Sequence, residues 1–280
     1  MSAPKSQKKV TFADLTEKVP FFEVPYIDKL DFPTLELDWN MQEWWKDGVV
    51  HLPNILPDPL IHEYLKVRNK VKSPNGWESN TPYMKHPEIL ELGLYAPVID
   101  EMESVIGDKM GMHLNLTGHI STERGWHQDE YLNPPFINSW YCAAWFALED
   151  IHPDSGPFQY VPGSHKWGIM RMEKTLSFLD EKERTDPNWP RLAERFVNDA
   201  CQEEIDRRNA EIVTYLPKKG DVLLWHPRLM HRGSEPKDKT KSRKAFIAHY
   251  SALSVRRDMA FKEHFNGKHY FVFWQVWQQV

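Results

Sequence analysis

Apolar positions in the first part of this 280-residue chain recur at helical spacing. The pattern predicts a short helix over residues 41–46, an amphipathic helix over 57–72 and a third helix over 92–107. Between the first two helices, the apolar run at 48–52 predicts a strand. We therefore expect several helices to precede the main sheet.

From residue 112 onward, short apolar runs alternate with turns rich in Gly, Pro, Asn and Asp. Many short strands separated in this way indicate a β-sandwich or jelly roll. The predicted strands cover residues 112–117, 125–131, 139–148, 156–161, 211–216, 221–226 and 242–253. The fold class is therefore predicted to be mainly β with flanking helices.

Two stretches depart from the strand pattern. Residues 1–37 are rich in Lys and Pro, and we interpret them as a tail and an extended arm that packs on the body of the protein. Residues 171–210 are highly charged and have a helical pattern, which predicts a helical insertion between strands. An insertion of this length serves either as a structural flank or as a lid over a site, and the sequence leaves both open. Without repeats or linkers, residues 1–280 are predicted to form a single domain.

Composition excludes several classes of protein. A net charge of −5 provides no positive surface for nucleic acid or an anionic membrane. The two cysteines, Cys142 and Cys201, have neither the spacing of a metal site nor that of a disulfide framework, which is typical of a reducing compartment. The polar start of the chain and the lack of a long apolar run predict a cytoplasmic protein.

The triplet His127-Gln128-Asp129 is the strongest candidate for chemistry. If residues 126–131 form a strand, His127 and Asp129 point to one face and Gln128 to the other. With His231 as a third ligand they would form a 2-His-1-carboxylate site, which leaves three positions of an octahedral ion open. Such a site suits Fe(II) that must bind a cosubstrate and O2 together.

Arg243 suggests what that cosubstrate is. We predict that the strand ending at His231 and the strand beginning near Arg243 form a long hairpin, which would place Arg243 and Ser234 close to the metal. The planar guanidinium of Arg matches a carboxylate through two parallel hydrogen bonds. The residues thus predict a metal that holds a small dicarboxylate, with its far carboxylate bound by Arg243.

Several motifs, in order and spacing, resemble the phytanoyl-CoA dioxygenase (PhyH-like) family. They lie at residues 126–129, 142–150, 156, 161–166, 220–222, 226–227, 230–234 and 242–245. The resemblance covers roughly residues 45–255 and is weak in the insertion and at both ends. It implies a double-stranded β-helix, which is a cupin-like jelly roll, that uses Fe(II), 2-oxoglutarate and O2.

The same resemblance implies roles for individual residues. His127, Asp129 and His231 match the metal ligands, and these would be the catalytic residues. The positions that match the 2-oxoglutarate site are Arg243, Ser234, Trp145, Gln128 and Asn115. Arg232, inserted between His231 and Gly233, is absent from the founding member's motif. Related halogenases have a small residue in place of the carboxylate, so Asp129 favours hydroxylation.

The expected activity is hydroxylation of an unactivated C–H bond in a small-molecule substrate, with release of succinate and CO2. Two alternatives are a non-catalytic jelly-roll binding module and a cupin-type metalloenzyme that does not use 2-oxoglutarate; Arg243 and Ser234 disfavour the second. Among the other histidines, His226 and His165 are interpreted as structural. The even spacing of His249 from Arg243 allows it to face the same cavity. Neither the substrate nor the oligomeric state follows from the sequence.

Overall fold

The computed structural model describes residues 9–20, 23–34, 36–72, 76–77, 79 and 81–272. The α-helices in these residues are α1 (Phe12–Leu15), α2 (Trp39–Asp47), α3 (Asp58–Arg68), α4 (Pro87–Gly93), α5 (Ala96–Ile106), α6 (Met172–Ser177), α7 (Glu181–Thr185) and α8 (Trp189–Arg208). The strands are β1 (Thr16–Glu17), β2 (Val49–Leu52), β3 (Met110–Gly118), β4 (Tyr141–Ala147), β5 (Phe158–Tyr160), β6 (Ile169–Met170), β7 (Val213–Thr214), β8 (Val222–Trp225), β9 (His231–Gly233), β10 (Ala245–Ala252), β11 (Lys262–Phe265) and β12 (Lys268–Phe271).

Ten of the twelve strands form a major and a minor sheet that pack face to face, and β1 and β6 form a separate two-stranded sheet. The major sheet has seven strands in the order β11-β12-β3-β10-β4-β8-β2, and the minor sheet has three in the order β7-β5-β9. All pairs in these two sheets are antiparallel except β12 with β3. The predicted mainly β jelly roll with flanking helices is confirmed, and its sheets do not close into a barrel.

Strand β4 shows why the central strands are apolar throughout. Cys142, Ala144 and Phe146 pack in the cluster shared with the helices, whereas Ala143 and Trp145 pack in the cluster shared with the minor sheet. A strand covered on both faces has no solvent side, so its sequence shows no alternation of polar and apolar residues. The inner face of the major sheet, which faces the minor sheet, is where the candidate site lies.

Helices α2 to α5 cover the outer face of the major sheet. Asp38 begins α2 by accepting a hydrogen bond from the backbone of Met41, and Gly48 ends it with φ of 78°. The helix predicted over 92–107 is in fact two helices, α4 and α5, that meet near Leu94. Pro97 explains the break, because it has no N–H to continue the hydrogen bonding of α4 and is tolerated in the first turn of α5.

Two predictions about the strands near the site are wrong. Residues 125–131 form a loop with one isolated bridge, between His127 and His231, followed by a 3-10 turn over Glu130–Leu132. The strand predicted to end at His231 does not reach it, because β8 ends at Trp225 and the chain turns at Pro227. His231 then begins β9 in the minor sheet, whereas Arg243 precedes β10 in the major sheet, so the two do not belong to one hairpin.

The insertion over residues 171–210 is helical, as predicted. Its longest helix, α8, buries Val197 and Cys201 in a cluster with Trp126 and Tyr131 of the loop that contains His127. Helix α1 of the N-terminal arm packs in the same cluster. The insertion therefore packs against that loop. No helix in the described ranges has the length and hydropathy needed to cross a membrane.

Candidate metal centre

Three side chains converge between the sheets. One potential ligand atom from each of His127, Asp129 and His231 lies within 4.8 Å of the other two. Nε2 of His127 is 3.6 Å from Oδ1 of Asp129, and Nε2 of His231 is 3.7 Å from Oδ2. All three residues are buried. Two imidazoles and one carboxylate arranged in this way form a 2-His-1-carboxylate cluster.

The backbone places the two histidines side by side. His127 and His231 exchange both of their backbone hydrogen bonds, each with an N···O distance of 3.1 Å. Directly opposed residues of an antiparallel pair have their side chains on the same face, and here the two rings are 4.2 Å apart between centroids. The N–H of Asp129 then donates to the carbonyl of Pro227 at 2.8 Å, which anchors the carboxylate residue to the turn after β8.

A hydrogen bond orients the side chain of each of the three residues in the cluster. Nδ1 of His127 lies 2.8 Å from the carbonyl oxygen of Gly125, and Nδ1 of His231 lies 2.9 Å from that of Leu229. Because a carbonyl can only accept, each ring is protonated on Nδ1, and Nε2 keeps its lone pair for a metal. The indole N–H of Trp225 donates to Oδ2 of Asp129 at 3.0 Å and so orients the carboxylate.

The electrostatics favour the protonation states that metal binding requires. Burial, with a smaller effect of Arg124, lowers the pKa of His127 to about 3. Burial also lowers the pKa of His231, against the opposing attraction of Asp129. Burial alone would raise the pKa of Asp129, but His231 and the hydrogen bond with His127 together hold it below its usual value. Neutral imidazoles and an ionised carboxylate are the forms that ligate a divalent ion.

A buried cation lies beside the cluster. Arg243 is 3% exposed, and its Nη1 donates to the carbonyl of Gly156 at 2.9 Å. Its Nε has no partner, and no acidic side chain forms an ion pair with it among the described residues. Burial lowers the pKa of Arg243 to about 10, which leaves it charged at neutral pH. A buried charge without a counter-ion is costly, so this guanidinium is available to pair with an anion.

Arg243 contacts the strand that carries His231. A Cβ on Gly233 would lie 3.3 Å from Nη1 of Arg243, so the guanidinium contacts β9 at that residue. Gly233 follows His231 by two residues, a rise of roughly 7 Å along a strand. Because Gly233 has no side chain, the guanidinium of Arg243 stays accessible from the side of β9.

Two other residues named from the sequence lie on the same side of the fold. Ser234 Oγ donates to the carbonyl of Pro157 at 2.8 Å, next to the Gly156 carbonyl that accepts from Arg243. Trp145 is on the inner face of β4, and its indole N–H has no partner in the described residues. Ser234 is therefore close to Arg243, and Trp145 lies on the inner face of the major sheet.

Gln128 and Asn115 do not join this group. The Gln128 amide donates to the carbonyl of Gly168 at 3.1 Å and accepts from the N–H of Met170 at 3.0 Å, so it ties the loop to β6. Asn115 is paired with Ala248 on the helix-covered face of the major sheet. The structure thus places both of them away from the predicted cosubstrate position.

Sequence reasoning missed Trp225, although its signal was present. In the predicted strand over 221–226, Trp225 shares a face with Leu223, and that face points inward towards Asp129. His249, which was considered, does face the site: its ring lies 6.0 Å from that of Trp225. Its partner Tyr141, which forms a hydrogen bond to Nδ1 of His249, was not identified.

The fold and the cluster define a class, namely jelly-roll proteins with a 2-His-1-carboxylate metal centre. Within that class, the profile of the phytanoyl-CoA dioxygenase (PhyH) family matches residues 84–245, and the chain belongs to this family. The family resemblance drawn from the motifs is therefore confirmed.

Individual relatives agree with this assignment. The chain is 28% identical over 177 residues to a probable phytanoyl-CoA dioxygenase of Caenorhabditis elegans, covering 59% of this chain and 51% of the relative. It is 27% identical over 195 residues to the peroxisomal phytanoyl-CoA dioxygenase of Bos taurus, covering 66% and 50%. The chain spans about half the length of the curated relatives it matches.

Solved structures share the fold. The α-ketoglutarate-dependent epimerase SnoN superposes with a TM-score of 0.56 at 18% identity, covering 76% of this chain and 82% of SnoN. EctD from S. alaskensis, solved with 2-oxoglutarate and 5-hydroxyectoine, superposes with a TM-score of 0.56 at 16% identity, covering 91% and 86%. At these identities the likeness concerns the architecture.

Proposed function

We propose that this protein is an Fe(II)- and 2-oxoglutarate-dependent dioxygenase that hydroxylates an unactivated C–H bond of a small molecule and releases succinate and CO2. One observation carries the proposal: a buried His-Asp-His cluster occurs together with a buried guanidinium that has no counter-ion among the residues that the structure describes. Family membership and the shared fold of α-ketoglutarate-dependent enzymes support it.

The donor set fits iron. His127, Asp129 and His231 would hold Fe(II) through two nitrogens and one oxygen, a set typical of non-haem iron oxygenases, and leave room for other ligands. When bound, the iron supplies the activation of O2 that the side chains of the protein cannot provide. The protein contributes ligation, orientation and a dry site, since all three ligands are buried.

Arg243 would bind the distal carboxylate of 2-oxoglutarate, with Ser234 beside it. The bound carboxylate would neutralise the guanidinium and accept from the Nε that lacks a partner. We further propose that the indole N–H of Trp145 donates to the cosubstrate on the path between the iron and Arg243. Gln128 and Asn115 have no part in this assignment.

Asp129 supports hydroxylation as the outcome. The hydrogen bond from Trp225 holds the carboxylate of Asp129 towards the cluster. The protein itself therefore fills this ligand position, and no place is left there for a halide. The buried and unneutralised Arg243 opposes both alternatives, since neither a relic binding module nor a 2-oxoglutarate-independent metalloenzyme requires it. We also propose that the chain acts as a single domain on a small-molecule substrate, because α8 packs against the loop that contains His127.

The proposal can be tested in two steps. Anaerobic addition of Fe(II) and 2-oxoglutarate to the purified protein should produce a weak visible charge-transfer band, and neither component alone should do so. In air, succinate should form only when Fe(II) is present, and Asp129→Ala should abolish both the band and succinate formation. Full succinate formation by metal-free protein in the presence of a chelator would disprove the proposal.

A further inference from the structure

The rows of side chains across the inner face show where a substrate would lie. Ala143 of β4 is paired with His249 of β10 on one side and Trp225 of β8 on the other, so the three form one row. Trp225 donates to Asp129, which places this row at the level of the cluster. The next row towards Arg243 contains Trp145, and the next row in the opposite direction contains Tyr141.

His249 presents an unused donor in that row. It is buried, its Nδ1 forms a hydrogen bond with the Tyr141 hydroxyl, and its Nε2 has no partner in the described residues. No other hydrogen bond of the Tyr141 hydroxyl is found in the described part of the chain, so we assign the hydroxyl as the donor and Nδ1 as the acceptor. A neutral ring that accepts at Nδ1 has its proton on Nε2.

The charge state agrees with this assignment. Burial lowers the pKa of His249 to about 4, against the opposing attraction of Asp129, so the ring is neutral at physiological pH. The ring lies 6.0 Å from that of Trp225, which donates a hydrogen bond to the cluster residue Asp129. A buried N–H without an acceptor costs free energy, which a ligand that offers an acceptor would recover.

Beyond His249, the wall of the site remains polar. Ser251 is paired with Tyr141, and its hydroxyl lies 3.0 Å from Nε2 of His113. Arg256, which follows β10 and is 4% exposed, approaches Ser251 Oγ at 3.4 Å and pairs with Asp258 at 2.9 Å, while its Nε has no partner among the described residues. An aliphatic chain placed here would leave the Nε of Arg256 without an acceptor, which is unfavourable.

We propose that His249 is a specificity-determining residue that donates a hydrogen bond from Nε2 to an oxygen of the substrate, close to the carbon that reacts. The substrate is accordingly a compact polar molecule with a carbonyl, hydroxyl or carboxylate group, and not a long aliphatic acyl chain. This inference rests on the proposed function and specifies the substrate class of the same site. The cosubstrate lies on the Arg243 side of the cluster, and the substrate lies on the Tyr141 side.

The tautomer can be measured directly. With 15N-labelled histidine in the Zn(II)·2-oxoglutarate complex, two-dimensional NMR should show that His249 is neutral and protonated on Nε2. Tyr141→Phe removes the hydroxyl that selects this form, so both neutral tautomers should then appear. A His249 ring protonated only on Nδ1, or charged at neutral pH, would overturn the inference.

The substrate class is tested by stimulated succinate formation with two sets of probes. One set contains small hydroxy acids, oxo acids and amides, and the other contains phytanoyl-CoA and palmitoyl-CoA. We expect stimulation by members of the polar set, and a loss of at least tenfold in kcat/KM with His249→Leu. Stimulation by the acyl-CoA set alone, by neither set, or equally in the wild type and the variant would overturn the inference.

The charge-transfer band separates the two possible failures. If the wild-type protein forms no band with Fe(II) and 2-oxoglutarate, the proposed dioxygenase function is disproved. If the band is normal but the tautomer or the probe assays contradict the role of His249, only the substrate assignment is disproved. His165→Gln is the matched control, because His165 is also buried but packs against His226, away from the row at the cluster. It should leave kcat/KM for the polar probes unchanged.

Discussion

His127 and His231 are far apart in the chain, yet they exchange two backbone hydrogen bonds, each 3.1 Å long. This single bridge joins the loop after β3 to the minor sheet and aligns two imidazoles on one face. The metal centre therefore depends on tertiary pairing of the backbone as much as on the ligand side chains.

Trp225 should contribute to metal affinity through Asp129. Trp225→Phe keeps the ring but removes the 3.0 Å hydrogen bond to Oδ2, so the carboxylate loses an orienting donor. We expect about a tenfold loss in Fe(II) affinity, at the lower end of effects measured for such partners. Competition with a chromophoric chelator measures it. Trp44→Phe is the control, since the buried indole N–H of Trp44 has no partner in the described residues; equal affinities in all three proteins would contradict this role.

Arg243 should bind 2-oxoglutarate at a cost to the stability of the ligand-free protein. In Arg243→Met the buried charge without a counter-ion is gone, so the apo protein should have a higher Tm. Its Kd for 2-oxoglutarate should rise at least tenfold, which corresponds to about 1.4 kcal/mol. Thermal melts with and without 2-oxoglutarate measure both effects. Lys244→Met, which changes the neighbouring residue, should leave the Kd unchanged, and an unaltered Kd in Arg243→Met would refute the assignment.

Gly233 should be needed for the cosubstrate and not for the metal. In Gly233→Ala the new methyl group would lie 3.3 Å from Nη1 of Arg243, which narrows the approach to the guanidinium. We expect weaker 2-oxoglutarate binding with little change in Fe(II) affinity, since His231 is unaffected. Titration of Fe(II) at saturating 2-oxoglutarate and of 2-oxoglutarate at saturating Fe(II), each followed by the charge-transfer band, separates the two. A parallel loss of Fe(II) binding would show that the substitution disturbs β9 as a whole.

Helix α8 should support the position of His127. A Cβ on Gly125 would overlap Nδ2 and Cγ of Asn198, so Gly125→Ala must displace the Asn198 side chain or the loop whose carbonyl holds Nδ1 of His127. We expect reduced Fe(II) affinity, measured by chelator competition. Asn198→Ala removes the two closest atoms and leaves Cβ at 3.1 Å, so the double variant should recover part of the loss. No recovery would mean that α8 does not act through this contact.

Buried histidines should make the protein sensitive to acid. Burial lowers the pKa of His249 to about 4 and lowers those of His113 and His165 from 6.5, so the unfolded chain binds protons that the folded protein excludes. Stability is then lost as the pH falls from about 6.5 towards 4, by up to about 1.4 kcal/mol per pH unit for each such group. Glu130 has the opposite sign, because burial raises its pKa to about 7 and protonation favours the folded state.

Denaturant unfolding of the metal-free protein at several pH values measures this dependence. His165→Gln removes one of the groups and should flatten the decline between pH 6.5 and 4. A free energy of unfolding that stays constant over this interval would show that these rings are protonated in the folded protein as well.

The amino-acid sequence by itself determined the class of fold and the identity of the cluster. Short apolar runs with turn residues between them specify strands locally, so the predicted strands at 139–148 and 242–253 appear with shifted ends as β4 and β10. The cluster of His127, Asp129 and His231 was predicted by residue type, because few side chains suit iron.

Tertiary structure alone decided how those residues meet. The predicted strand at 125–131 and the predicted hairpin both assumed pairing between residues that are close in the chain. Instead, His127 pairs with His231 of the minor sheet, whereas Arg243 precedes β10 of the major sheet. Gln128 and Asn115 match motif positions but lie away from the site. The Gln128 amide forms hydrogen bonds with the backbone of Gly168 and Met170, and Asn115 lies on the outer face of the major sheet. Which strands pair, and on which face of a sheet a side chain lies, depend on contacts between residues distant in the chain. A local sequence pattern does not contain these contacts.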